Sequence, residues 1–317
     1  MPKKISTKKV DASIRSIETP SMRWIDVPKP SQTTLRSLQK EFHFHPLDIE
    51  DCLESNQYPK LDSYPHYLFM ILHFPSYQPD THEIISSEIR FFLYPNALIT
   101  VHGNSHHRIT ELFKQCMVDP SKQARLLHTN PSLLVYELLE GLLRDVYPML
   151  GHIKTDLRYI EHQIFDGYEK RMVRQILQTK RNIVNFRSIM QSHESVIQKL
   201  ITKSEPLFST DQLQVYYKNL VEHTKDIWAI LGNEKETIDA LQQTNESLIS
   251  FRLNDIMKLL TGMSVVMLPV SLIAFIVTMN TPMPFITHNP YSFWIVVSIM
   301  TSVGVTLVWY FKRRDWL

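Results

Sequence analysis

One run of residues has the types and spacing to handle an ion. Alternating steps of three and four from Asn254 reach Met257, Thr261, Ser264, Leu268, Ser271, Phe275 and Thr278. That spacing puts all of them on one side of an α-helix. The face collects an amide, hydroxyls and apolar side chains. Amide and hydroxyl oxygens suit a hard, strongly hydrated cation, and apolar rings between them suit a constriction that closes by expelling water. The bland account is that the hydroxyls bond their own backbone or pack against a neighbouring helix. Asn280 lies just beyond, after Met279. Repeated around a symmetry axis, it would make a ring of amide oxygens able to hold magnesium through its hydrating waters. A lone Asn there equally caps a helix end.

A second cluster gathers metal-ligand types: His43, His45, Asp48, Glu50, Asp51 and Cys52. A helix starting at Pro46 points these carboxylates in different directions. A capped, acidic helix start therefore accounts for them better than a metal centre. The chain has no Gly-rich phosphate loop, nucleophile elbow or CxxC pair, so no catalytic residues are expected.

The elements that must position the first face follow from hydropathy. Leu259–Thr278 and Tyr291–Phe311 are uncharged apolar runs, each near the roughly 20 residues a spanning helix needs. Lys258 precedes the first, Lys312, Arg313 and Arg314 follow the second, and Thr281–Pro290 between them has no Lys or Arg. The positive-inside rule then puts both termini in the cytoplasm of a cell-membrane protein, with the short loop outside. Trp294, Trp309, Tyr310 and Trp316 near the ends of the second run fit an aromatic belt. Two spans cannot enclose a pore, so a conducting face requires several chains around an axis.

The rest of the 317 residues is large enough for a domain with its own core. A net charge of +2 gives no reason to expect a nucleic-acid partner. The start of the chain lacks the apolar stretch of a signal peptide. Two cysteines, Cys52 and Cys116, fit a reduced compartment rather than a disulfide scaffold. Residues 1–20 are expected to be frayed. Strands are expected at Met22–Val27, Tyr67–Phe74 and Glu88–Val101, the last broken at Tyr94-Pro95-Asn96, and a helix at Ser31–Phe44. Past Pro131 helical periodicity takes over. It predicts one helix over Ser132–Phe165, with a bend at Gly141 or Pro148, and another over Arg171–Ser204. A third starts near Ser209. Run to Thr278 it has about 70 residues and a length of about 105 Å, a stalk that continues into the first span.

The expected architecture is an α+β membrane protein. Residues 1–130 form a cytoplasmic α/β domain, 131–208 its helical part and 209–258 the stalk. Residues 259–279 form the first, pore-lining span, 280–290 the external loop, 291–311 the second span and 312–317 a basic tail.

His45-Pro-Leu-Asp-Ile-Glu-Asp-Cys-Leu, Tyr58-Pro-Lys-Leu-Asp, Tyr67-Leu-Phe and Leu98-Ile-Thr-Val-His resemble the N-terminal domain of the CorA family of divalent-cation transporters. Asn254, Met257-Lys258, Leu260-Thr261, Pro269, Met279-Asn280 and the basic tail ending Trp316-Leu317 match that family in order and spacing. The resemblance implies a homopentamer whose first spans line the pore. Met257, Leu260 and Leu268 would form its hydrophobic constriction, Asn254 and Ser271 further lining, and Asn280 the entrance. The ion would be magnesium, carried or regulatory, with no other cofactor. Zinc, cobalt or nickel is the near alternative, and a non-conducting metal sensor or scaffold the alternative of another class. A membrane-anchored metallohydrolase built on the His43–Cys52 cluster is a third.

The chain departs from the family at Thr278, where the signature Gly-Met-Asn has glycine. It departs at Phe275, which replaces a glycine and would narrow the path. At Asn219 it replaces an inter-subunit regulatory aspartate, with Glu222 nearby.

Overall fold

The computed structural model describes residues 14–54, 57–103, 106–127, 130–205, 207, 214–279 and 291–314. The chain divides into two compact units, residues 1–166 with 172–241 and residues 167–171 with 242–317.

The first unit is built on one sheet. In chain order come β1 (Arg15–Glu18), β2 (Arg23–Pro28), α1 (Gln32–Phe42), α2 (Pro46–Leu53), β3 (Lys60–Ser63), β4 (Leu68–Gln78), β5 (Glu83–Tyr94) and β6 (Ala97–His102). The strand order is β1-β2-β6-β5-β4-β3. Among the described residues only β2 and β6 run parallel, which a long connection between them permits. Pro75 breaks no ladder on its outer side, because β3 pairs with β4 only over Leu68–Ile71. Ile25, Val27, Ile99, Val101, Phe69, Ile71 and Phe92 cluster with Leu35 and Leu38 of α1 and Ile49 of α2. Each such side chain, fully buried, contributes about 1.5–3 kcal/mol before ordering costs. α1 starts where Ser31 accepts from the Thr34 amide, and it ends in the left-handed His43, φ 56°.

The helices that follow are α3 (His107–Val118), α4 (Pro120–Leu126), α5 (Ser132–Arg144), α6 (Val146–Phe165), α7 (Glu169–Met190), α8 (His193–Ser204), α9 (Gln214–Thr278) and α10 (Ser292–Arg313). On the sheet's other face Trp24 meets Phe113 of α3 edge-on, with centroids 4.9 Å apart. The Asn182 side chain on α7 accepts from the Ile84 amide at 3.1 Å and donates to the His82 carbonyl at 2.9 Å. This satisfies backbone groups at the tip of the β4–β5 hairpin that no strand reaches.

Three expectations are corrected. The helix expected over Ser132–Phe165 is two, α5 and α6, which part at Asp145, whose amide still donates to the Gly141 carbonyl at 3.1 Å. Pro148 falls in the first turn of α6, where a missing N–H costs nothing. The helix expected over Arg171–Ser204 is also two, parted between Met190 and His193. Within the stretch expected to be frayed, Arg15–Glu18 form β1, which pairs antiparallel with β2 as an edge strand. The α9 helix is described from Gln214, and residues 208–213, where its start was expected, lie outside the described residues.

The second unit holds the C-terminal part of α9, the whole of α10 and the turn Gly167–Arg171. The turn is tied to α9 by Arg252, which meets the Glu169 carboxylate at 2.9 Å and donates to the Gly167 carbonyl at 3.2 Å. Both α9 and α10 are long and apolar enough to cross a membrane. α10 covers one side of α9. Val265, Val266, Pro269, Val270, Ile273, Ala274 and Val277 are partly shielded and Gly262 is buried.

Candidate functional site

A single α9 helix of 65 residues presents the candidate face, so its register is unbroken from Asn254 to Thr278. Asn254, Met257, Thr261, Ser264, Leu268, Ser271, Phe275 and Thr278 are all exposed. They fall on the side opposite the residues α10 shields. Leu268, for example, is two residues from both Val266 and Val270, about 200° around the helix from each. Leu260 and Met279 are exposed as well, at 58% and 61%. Sequence periodicity found this stripe but gave no sign of which face the second apolar helix would cover. The one available signal was Gly304 on α10, where an added Cβ would sit 3.9 Å from Val270 Cγ2.

The hydroxyls on the stripe are of two kinds. Ser264 donates to the Leu260 carbonyl and Thr278 to the Phe275 carbonyl, both at 2.9 Å, the local bonding expected of a bland helix face. The Thr261 and Ser271 hydroxyls make no hydrogen bond among the described residues. Their hydroxyls are free to turn toward water or an ion's hydration shell. The amide of Met279 closes the helix on the Phe275 and Ile276 carbonyls. Asn280, the external loop and residues 315–317 lie outside the described residues. At the other end of α10, Arg313 lies over the Trp309 ring at 5.3 Å and Arg314 over Tyr310 at 5.8 Å. Such amphipathic stacking suits a membrane–water boundary.

The two stalk candidates, in the first unit, are occupied by neighbours. Asn219 places its amide 3.2 Å from His223 Nε2, and the His223 ring meets the Tyr147 hydroxyl at 3.0 Å. The Glu222 carboxylate accepts from Lys225 at 3.1 Å.

The His43–Cys52 cluster disperses as its helix geometry requires. His45 caps α2 by accepting from the Leu47 amide. Asp48 is buried beneath two tyrosines, accepting from Tyr67 at 2.6 Å and from Tyr64 at 2.9 Å. Burial raises its pKa against the pull of those hydroxyls. Asp51 pairs with Lys60 at 2.8 Å. Burial pushes the Cys52 thiol up to about 12. Among the described residues no group of three or more His, Cys, Asp or Glu side chains is arranged to hold a metal ion.

Comparisons with known proteins bear on the family and the fold. The chain is 25% identical over 311 residues to the cobalt/magnesium transport protein CorA of Thermotoga maritima, covering 96% of this chain and 85% of that one. Its fold is similar to the complete structure of the CorA magnesium transporter from Methanocaldococcus jannaschii, with a TM-score of 0.82 at 22% identity over 96% of this chain and 94% of that chain. The ZntB cytoplasmic domain from Vibrio parahaemolyticus is similar at a TM-score of 0.60 and 13% identity, over 73% of this chain and 89% of that one. The model of the CorA-like Mg2+ transporter protein family matches residues 20–313, and the chain belongs to that family.

Proposed function

We propose that the protein is a divalent-cation channel that admits magnesium down its electrochemical gradient. Several copies, five by the family resemblance, would surround an axis with the α9 stripe turned inward. One observation carries this reading: α10 leaves uncovered the face of α9 that bears the amide and hydroxyl groups. A face that only packed helix on helix within the chain would be the covered one. Asn280 would hold the ion at the entrance through its waters, which suits a cation that dehydrates reluctantly. Met257, Leu260 and Leu268 would form the apolar constriction.

The basic residues Lys258, Lys312, Arg313 and Arg314 support a cytoplasmic α/β domain and an external loop. With the inside negative, entry of a divalent ion gains about 4.6 kcal/mol per 100 mV. On the stalk, Asn219 offers an amide in place of a charge and Glu222 is already paired with Lys225. Both support a weak response to cytoplasmic magnesium.

The test is ion entry into proteoliposomes loaded with a magnesium-sensitive dye, comparing wild type with Asn280→Ala. Uptake by wild type that the substitution abolishes is the expected result. Zinc or cobalt entry without magnesium entry, in the same vesicles, would reassign the ion. Silence toward all three would leave a membrane sensor or scaffold as the function.

A further inference from the structure

The stripe on α9 carries an apolar ring that the transport reading does not itself require. Phe275 stands 69% exposed on the open face, as does Leu268. They are seven residues apart, about 10 Å along the axis. Between them on the same face is Ser271, whose hydroxyl has no bond to the helix among the described residues. The hydroxyl next outward, on Thr278, is tied back to the Phe275 carbonyl at 2.9 Å. The order from the outer end inward is therefore a fixed hydroxyl, an aromatic ring, a free hydroxyl and an aliphatic side chain.

An apolar ring in a narrow aqueous path drains its neighbourhood of water, and two such rings bound the water between them. On the reading that this face lines a pore, we infer that Phe275 forms an outer constriction. Together with Leu268 it encloses a small hydrated chamber centred on Ser271. A divalent cation entering from outside crosses the Phe275 ring before it can rest there. The Ser271 oxygens then accept from the ion's waters, which neither flanking apolar side chain can do. Two dewetting barriers in series with a polar site between them make the outer one a determinant of entry rate, separate from capture at the mouth. The negative face of the Phe275 ring lowers that barrier for a cation relative to an anion of the same size.

The test uses single cysteines at Thr278, Ser271 and Thr261 in reconstituted full-length protein. A membrane-impermeant, cationic methanethiosulfonate is added from the loop side. Wild type supplies the blank, since Cys52 and Cys116 are both buried. Thr278→Cys should react fastest, and Ser271→Cys about tenfold more slowly because the reagent must cross the ring. Adding Phe275→Ala should bring Ser271→Cys close to the Thr278→Cys rate and leave Thr261→Cys slow behind Leu268. Phe275→Leu keeps an apolar side chain should the alanine protein fail to assemble, and it should give an intermediate rate. Equal rates at Thr278→Cys and Ser271→Cys with Phe275 present would overturn the outer constriction while leaving the pore intact. No reaction at Thr278→Cys would overturn the pore reading itself.

Discussion

His106 is kept neutral by where it sits. It is 7% exposed at the start of α3, with Nε2 2.8 Å from Ser87 Oγ. Burial, reinforced by the neighbouring His102, pushes its pKa down to about 3. An unfolded histidine takes up its proton near pH 6.5. Between those two values the unfolded chain binds more protons than the folded one, so stability rises with pH there and falls on acidification. His106→Gln, uncharged at every pH, should flatten that slope. Its melting temperature in detergent should drop less than wild type's on moving from about pH 7 to about pH 5. An equal drop in both proteins would place the acid sensitivity elsewhere. The same scale explains the His45–Cys52 run. Its composition suggests ligands, yet Asp48 lies buried under Tyr64 and Tyr67. Those partners are sixteen and nineteen residues downstream, too far for local periodicity to reveal.

Two glycines show how element geometry decides what a substitution does. Gly167 has φ +95°, and a Cβ there would lie 2.9 Å from Arg252 Nη2. Gly304 sits inside α10, where a Cβ would find only the 3.9 Å contact to Val270. Gly167→Ala should destabilise by about 1 kcal/mol or more, because an L side chain resists that backbone and pushes the guanidinium from the Gly167 carbonyl. Gly304→Ala should be neutral or stabilising by up to about 1 kcal/mol, the helix-propensity gain. Thermal unfolding of both detergent-solubilised variants checks the pair. A Gly304→Ala protein as damaged as Gly167→Ala would mean that the α9–α10 contact is tighter than the structure has it.

Elements were also where the sequence was most and least legible. The α9 stripe, the β5–β6 turn and the α1 helix were all written in spacing and residue type. The breaks at Asp145 and after Met190 were not, since apolar periodicity runs through both joins. Strand β1 was missed for a related reason. Its sequence Arg15-Ser-Ile-Glu has little apolar content, and its order comes from pairing with β2 rather than from its own propensity.

At the scale of the whole molecule, one chain cannot enclose a path for an ion. α9 and α10 shield only one side of each other, and a pair of helices has no inside. The amide, the hydroxyls and the apolar side chains on the open face become a path only if equivalent faces meet around an axis, and under the proposed function each ring of groups would then be shared by the assembly. That has a measurable consequence. In vesicles holding assemblies of wild-type and Asn280→Ala subunits mixed in equal amounts, magnesium entry should fall well below half the wild-type rate. Most rings would then lack one or more of the amide oxygens that the proposed function assigns to the ion's waters. The mixing must precede assembly, and separately purified wild-type and variant proteins combined only in the vesicle should give half the rate. Entry proportional to the wild-type fraction in both preparations would mean that each chain works alone, which two spans with an uncovered polar face cannot do by forming a pore. The contrast between the two preparations separates a shared ring from a merely weakened subunit, because weakening would lower both alike.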